Sequence, residues 1–169
     1  MPIIVDGHNL IPKIPGINLS DIEDEIKLIA VLQEYCRLRR VAVVCYFDKA
    51  PQGHPRIQRY GQVTAKFARP GKTADEEIKE HLLRLGRGAR EWSVVSSDAS
   101  IQTAARASRA HVISSDVFSR EIEAFLFQEN TSKNASDDIS MSPEELDMWL
   151  NTFGGEQADQ EPPAKKKRR

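Results

Sequence analysis

The stretch "IIVDGHNL", Ile3–Leu10, runs three β-branched residues straight into an aspartate, a glycine and an asparagine. The pattern returns in "VAVVCYFD", which ends at Asp48, and in "WSVVSSD", which ends at Asp98. Runs with almost no polar residue read as strands buried on both faces, the mark of a parallel sheet covered by helices. Each run therefore delivers a carboxylate at or just past its last strand residue.

The segments between these runs carry helical signals. Ser20 with Glu23 fits a capping box, and Ile22, Ile26, Ile29 and Leu32 follow at helical spacing, with the helix ending near Arg39. Lys49 to Gly61 reads as a long loop, and "QVTAKFA" alternates as an edge strand. Thr73 fits the N-cap of the next helix, Glu76 its capping-box position, and Ile78, Leu82 and Leu85 its apolar stripe. "ASIQTAARAS" is a short helix and "HVIS" a fifth strand. "DVFSREIEAFLFQE" is a helix burying Phe118, Ile122, Phe125 and Leu126. Strands alternating with helices predict an α/β fold, a three-layer α/β/α sandwich with a mostly parallel sheet of about five strands.

The chain has 169 residues, enough for one domain with appendages. The reading divides it into a domain over 1–128, a polar linker over 129–141, a helix over 142–153 and a disordered basic tail over 154–169. Ser142, Pro143 and Glu145 carry the start signals of that last helix. No apolar run approaches the ~20 residues of a membrane span, and no signal peptide is visible. Cys36 and Cys45 lack metal-ligand spacing and read as reduced, buried thiols of a cytoplasmic protein. The net charge of −1 hides an asymmetry, because "KKKRR" at the C-terminus leaves the rest of the chain acidic.

In an open α/β sheet, functional groups gather outside the carboxyl ends of the strands. Asp6, Asp48 and Asp98 fall at three such ends, and Asp75 lies in the first turn of a helix with Glu76 beside it. Neighbouring strands ~4.8 Å apart bring such carboxylates to one edge. Crowded carboxylates cannot all stay ionised without a cation. Oxygen ligands without His or Cys suit a hard ion, Mg²⁺ or Mn²⁺, and such a site points to phosphodiester hydrolysis. Each residue also has a structural reading. Asp98 fits the N-cap of the following helix, Asp48 the start of a turn, and Asp75 and Glu76 complement a helix dipole. For Glu76 the capping role is preferred. Asp6 has the weakest such alternative, since no helix is expected directly after it. Asn9 either orders its loop or holds Asp6 and a phosphate.

At "VDGHN", "YFD", "KTADEEI" and "SSD", in this order, the chain resembles the NYN domain family, in its YacP-like bacterial branch among the PIN-like metal-dependent nucleases. The resemblance covers roughly Pro2 to Phe127 and rests on the ordered set of motifs. It implies a PIN-like α/β/α fold, acidic residues that bind Mg²⁺ or Mn²⁺, and cleavage of RNA, with the ribosome as a further partner. Position by position it implies Asp6, Asp48, Asp75 and Asp98 as metal ligands and catalytic groups, with Asn9 in the DGxN signature. Glu76, Asp116, Ser96 and Ser97 are supporting candidates, and His8 occupies a variable position. The implied localisation is the bacterial cytoplasm.

A polyanion near several acids needs cations around it. His54, Arg56 and Arg59 in the long loop, then Lys66, Arg69 and Lys72, are the candidates, with Arg69 and Lys72 preferred for their nearness to Asp75 in sequence. Thr73 and the free amides after it can take a phosphate, and Tyr60 can stack on a base. Arg84, Arg87 and Arg90 read as a solvated helix end. The alternative to a nuclease is an RNA- or ribosome-binding module that keeps the fold without cutting. A haloacid-dehalogenase-type phosphohydrolase would need an Asp where His8 stands.

Overall fold

The structure is a computed structural model and describes residues 1–19, 23–50 and 52–136. The linker beyond 136, the helix expected over 142–153 and the basic tail lie outside the described residues, as do Ser20 and Ile22. Met1–Thr131 forms one compact unit and Ser132–Arg169 a second.

The chain begins with strand β1 (Ile3–Asp6), a single-turn helix α1 (Gly7–Leu10) and a 3₁₀ turn (Ile11–Lys13). Helix α2 (Asp24–Arg39) leads to β2 (Val43–Phe47), β3 (Ile57–Tyr60) and β4 (Val63–Phe67). Then come α3 (Ala74–Leu85), a 3₁₀ helix (Gly86–Glu91), β5 (Ser93–Val95), α4 (Ala99–Ala107), β6 (His111–Ile113) and α5 (Ser115–Ser136). Among the described residues the six strands form one sheet in the order β3-β4-β2-β1-β5-β6. Every pairing is parallel except the β3–β4 hairpin.

β1 is central and buried along its whole length. One core packs around Val5, Leu28, Leu32, Tyr35, Phe47 and Phe118 on one face of the sheet. The other packs around Ile4, Tyr46, Ile78, Leu82, Val94 and Ile101 on the opposite face. The alternation of Ile4 and Val5 between the two cores is the period-two geometry of a strand covered on both sides. Gly7 sits where the chain leaves β1. A Cβ there would lie 2.4 Å from the Phe47 ring and 2.9 Å from the Tyr46 carbonyl, so no larger residue fits without displacement.

Several expectations need correction. The sheet has six strands rather than about five, because the presumed loop contains β3, which takes the edge and makes β4 internal. β3 alternates exposed and half-buried residues, so it carries no apolar run to announce it. Helix α2 begins at Asp24, with Glu23 at its N-cap, three residues after the expected cap at Ser20. Ile26 is exposed, and Leu28, Ile29, Leu32, Tyr35 and Cys36 form the buried stripe instead. A helix does follow Asp6 directly, although the Asp6 side chain makes no capping bond to it. α5 continues to Ser136, past the point where the polar linker was expected to begin.

Candidate functional site: an acidic edge at the carboxyl ends of β1, β2 and β5

Asp6 ends β1 level with Tyr46 of β2, and Val5 pairs with Val95 of β5. Ser96, the residue after β5, therefore stands beside Asp6. Its fully buried hydroxyl donates to Asp6 Oδ2 at 3.2 Å and accepts from the Asp98 amide at 3.0 Å. Asp6 itself is only 9% exposed. Burial pushes its carboxyl above the usual range, and the charge of Asp48 pushes the same way, against the bonds from Ser96 and the Asn9 amide. A buried carboxylate with a second one nearby is a place where a cation lowers the energy.

The other acids are each held by a backbone or side-chain partner. Asp48 follows β2 and its Oδ1 accepts from the Ala74 amide at 2.8 Å, so it fixes the first turn of α3. Asp98 caps α4, its Oδ1 accepting from the amides of Ser100 (2.8 Å) and Ile101 (3.1 Å). Those bonds, the Ile101 amide first, hold its carboxyl below the usual range. Asp75 receives Lys79 Nζ at 2.7 Å on one oxygen and the Ser100 hydroxyl at 3.2 Å on the other. Glu76 closes the capping box with Thr73, as its preferred reading required. Asp116 pairs with Lys13 at 2.9 Å and lies 3.5 Å from the Ser97 hydroxyl.

Asn9 is a structural hub. Its Oδ1 accepts from the Ser97 amide at 2.8 Å and from the buried Ser115 hydroxyl at 2.7 Å, which ties α1 to the ends of β5 and β6. His8 holds a variable position of the DGxN signature, and no sequence signal assigns Glu25 to the site. His8 stands 3.7 Å from Asp48 Oδ2 and 3.9 Å from Glu25 Oε1, and its buried Nδ1 has no hydrogen-bond partner among the described residues. Glu25 is pushed up to about 7 by burial and by its neighbour Asp24. Two adjacent acids opening a helix look like ordinary dipole complements in sequence. Only the tertiary position of His8 shows that Glu25 faces the site.

Among the described residues no group of three or more His, Cys, Asp or Glu side chains stands close enough to hold a metal ion. Asp6, Asp48, Asp75 and Asp98 thus do not form a single cage. The pair Asp6–Asp48 does suit a hard cation, because Mg²⁺ keeps several waters and takes only one or two carboxylates along with substrate phosphates.

The expected RNA contacts divide. Arg56, Arg69, Lys72 and Thr73 line a cavity of about 560 Å³ together with Asp48 and Lys49, next to the acidic edge. Arg69 and Lys72 are already engaged: Arg69 Nε binds Glu77 at 2.7 Å, and both side chains reach Glu80. Arg56 and Lys49 have no acidic partner within salt-bridge distance among the described residues. Arg59 and Tyr60 lie elsewhere. Tyr60 pairs with Val63 at the start of β4, which is the amino end of the parallel strands, and Arg59 Nε binds the Gly61 carbonyl there. Lys66 lies over the Tyr46 ring.

Comparison with solved structures gives the crystal structure of Rae1 (YacP) from Bacillus subtilis, at 25% identity and a TM-score of 0.63, covering 92% of this chain and 95% of that one. A tryptophan-to-leucine variant of the same protein gives 27% identity and a TM-score of 0.66, covering 86% of this chain and 91% of that one. No curated protein matches the chain. Residues 3–152 match the YacP-like NYN domain. A mostly parallel six-stranded sheet with helices on both faces, an acidic carboxyl edge and this match together place the chain in the YacP-like NYN domain family, which is nuclease-like.

Proposed function

We propose that this protein is a metal-dependent endoribonuclease of the bacterial cytoplasm, acting on RNA, with the ribosome as a place of action. The observation that carries the reading is the buried Asp6 carboxyl at the central strand end, raised by burial and by Asp48, and oriented by Ser96. Asp6 and Asp48 would hold Mg²⁺ or Mn²⁺. When bound, that ion supplies charge neutralisation at a phosphoryl oxygen and a more acidic water. Ser96 and the Asp98 amide keep the Asp6 carboxyl in one rotamer, which is the preorganisation such chemistry needs. Asn9 holds α1, and with it His8, against the ends of β5 and β6. Arg56 and Lys49 lie on the cavity wall beside Asp48, where a phosphate leaving the acidic edge would be received.

One observation favours the second reading, a binding module that does not cut. Asp75 and Asp116 are each neutralised by a lysine, and the described residues lack a three-carboxylate cluster. A cleavage assay separates the two. Labelled structured and unstructured RNA is incubated with the full chain in Mg²⁺, Mn²⁺ or EDTA. The nuclease reading expects cutting with metal, none in EDTA and none by Asp6→Asn. Retained RNA binding with no cutting under any condition establishes the module instead.

A further inference from the structure

The opposite end of the sheet carries a second charged feature that the acidic edge does not use. The carboxyl ends of α3 and α4 flank a groove of about 610 Å³ lined by Leu83, Gly86, Arg87, Arg90 and Arg109. All three arginines are exposed. Among the described residues none of them pairs with an acid, although Glu91 adjoins Arg90 in sequence. This contrasts with Arg84 on α3, which reaches Glu80, and Arg106 on α4, which binds Gln102. Arg84 and Arg106 already stand in the last turns of those helices, where a cation complements the dipole. Arg87, Arg90 and Arg109 lie beyond the ends of α3 and α4.

Two backbone features present them together. Arg87 and Arg90 are three residues apart in a 3₁₀ helix, where side chains at i and i+3 eclipse, so both guanidinium groups project from one side. Arg109 follows the last residues of α4 with φ +63°, a left-handed conformation that favours glycine and costs other residues roughly 1–2 kcal/mol. The exposed Leu83 adds an apolar wall to the groove.

The geometry points to this groove as a second RNA-binding surface, gripping the phosphodiester backbone of the strand whose other part lies at the acidic edge. Planar guanidinium forks match phosphate oxygens in pairs, which suits arginine better than lysine. α3 connects the two ends directly. Its 12 residues span ~18 Å, so only a strand of several nucleotides can reach from one end to the other. A short oligonucleotide would therefore reach one end only, and a longer strand both. The inference rests on RNA as the substrate.

The test compares the full-length protein with its Arg87→Gln/Arg90→Gln/Arg109→Asn variant, asparagine being tolerated in the left-handed region. Anisotropy of a labelled 30-nucleotide RNA is followed across a salt series. The surface predicts at least tenfold weaker binding by the variant and a salt slope smaller by about two, from three lost contacts on a single strand. It also predicts a higher KM for the long RNA with kcat unchanged, and equal rates on a dinucleotide. A double Arg87→Lys/Arg90→Lys variant should keep most of the salt slope. Unchanged affinity and slope in the triple variant, with cutting intact, overturns the surface and leaves the nuclease reading standing. Weakened binding with no cutting by the parent protein supports the surface and removes the nuclease reading. Displacement of the RNA by poly-glutamate as readily as by unlabelled RNA would assign the groove to an acidic protein instead and overturn the proposal.

Discussion

At one end of the sheet the charged groups are pinned, and at the other they are left loose. Asp6, Asp48, Asp75 and Asp98 each hold a hydrogen bond to a backbone amide or a neighbouring side chain. Arg87, Arg90 and Arg109 point into an open groove with no acidic partner among the described residues. Under the proposed function the difference matches two kinds of work. Bond-breaking needs donors and acceptors fixed before substrate arrives. Holding a nucleic-acid backbone needs charge that can follow a flexible strand, and carries no sequence information.

The comparison is broken most severely at Asp6. Asp6→Asn should lower RNA cleavage by about a thousandfold while leaving RNA affinity within about twofold, since the substitution leaves the proposed cationic phosphate contacts in place. The same variant should be more stable than the parent in EDTA at pH 7. A carboxyl raised in the folded state contributes stability below its unfolded range and loses it as pH rises through the folded value, so removing the charge removes that loss. Addition of Mn²⁺ should raise the Tm of the parent and not of Asp6→Asn, since only a ligand that binds the folded state stabilises it. A thermal melt with and without metal checks both statements.

Next in size is Gly7→Ala. The new methyl meets the Phe47 ring and the Tyr46 carbonyl, and overpacking of this kind costs about 1–3 kcal/mol. At roughly 2–4 °C per kcal/mol for a chain of this length, differential scanning calorimetry should record a clear drop in Tm. An unchanged Tm would show that the turn from β1 into α1 yields more readily than its packing implies.

Ser96→Ala should cost about 1 kcal/mol, because the Asp98 amide loses its acceptor and the Asp6 carboxylate its donor. The account expects a roughly tenfold fall in kcat with little change in KM, because Ser96 acts by positioning Asp6. A change in KM alone would place Ser96 outside that role.

The smallest effect is at Glu25, whose carboxyl is pushed up to about 7. Its contribution to stability is full below its unfolded value near 4.5 and is lost as pH rises through about 7. Glu25→Gln should therefore raise Tm by a few degrees at pH 8 and change it little at pH 4, as read by melts across that range.

Much of this was legible in the sequence because burial on both faces leaves a plain signal. The apolar runs ending at Asp6, Asp48 and Asp98 located three strand ends, and the Thr73–Glu76 capping box was found where the spacing put it. β3 was missed because an edge strand such as "IQRY" has no apolar run, and its Ile57 is 56% exposed. That omission also misplaced Arg59 and Tyr60, since the hairpin register sends them to the amino end of the sheet. The partners of the acids were equally hidden. Lys13 with Asp116, and Ser100 with Asp75, are distant in the chain and meet only through the order of strands. Glu25 and His8 belong to the same class, because nothing in the local sequence of α2 says which way its first turn faces.

The most direct test sets the two ends against each other in one experiment. Single-turnover cleavage of a long unstructured RNA in Mn²⁺ is measured over a range of protein concentrations for the parent, Asp6→Asn and the triple arginine variant. The account predicts that Asp6→Asn stays inactive at every concentration, and that the arginine variant reaches the parent's maximal rate at about tenfold higher concentration. Cutting by Asp6→Asn at the parent's rate would contradict the claim that the acidic edge does the chemistry.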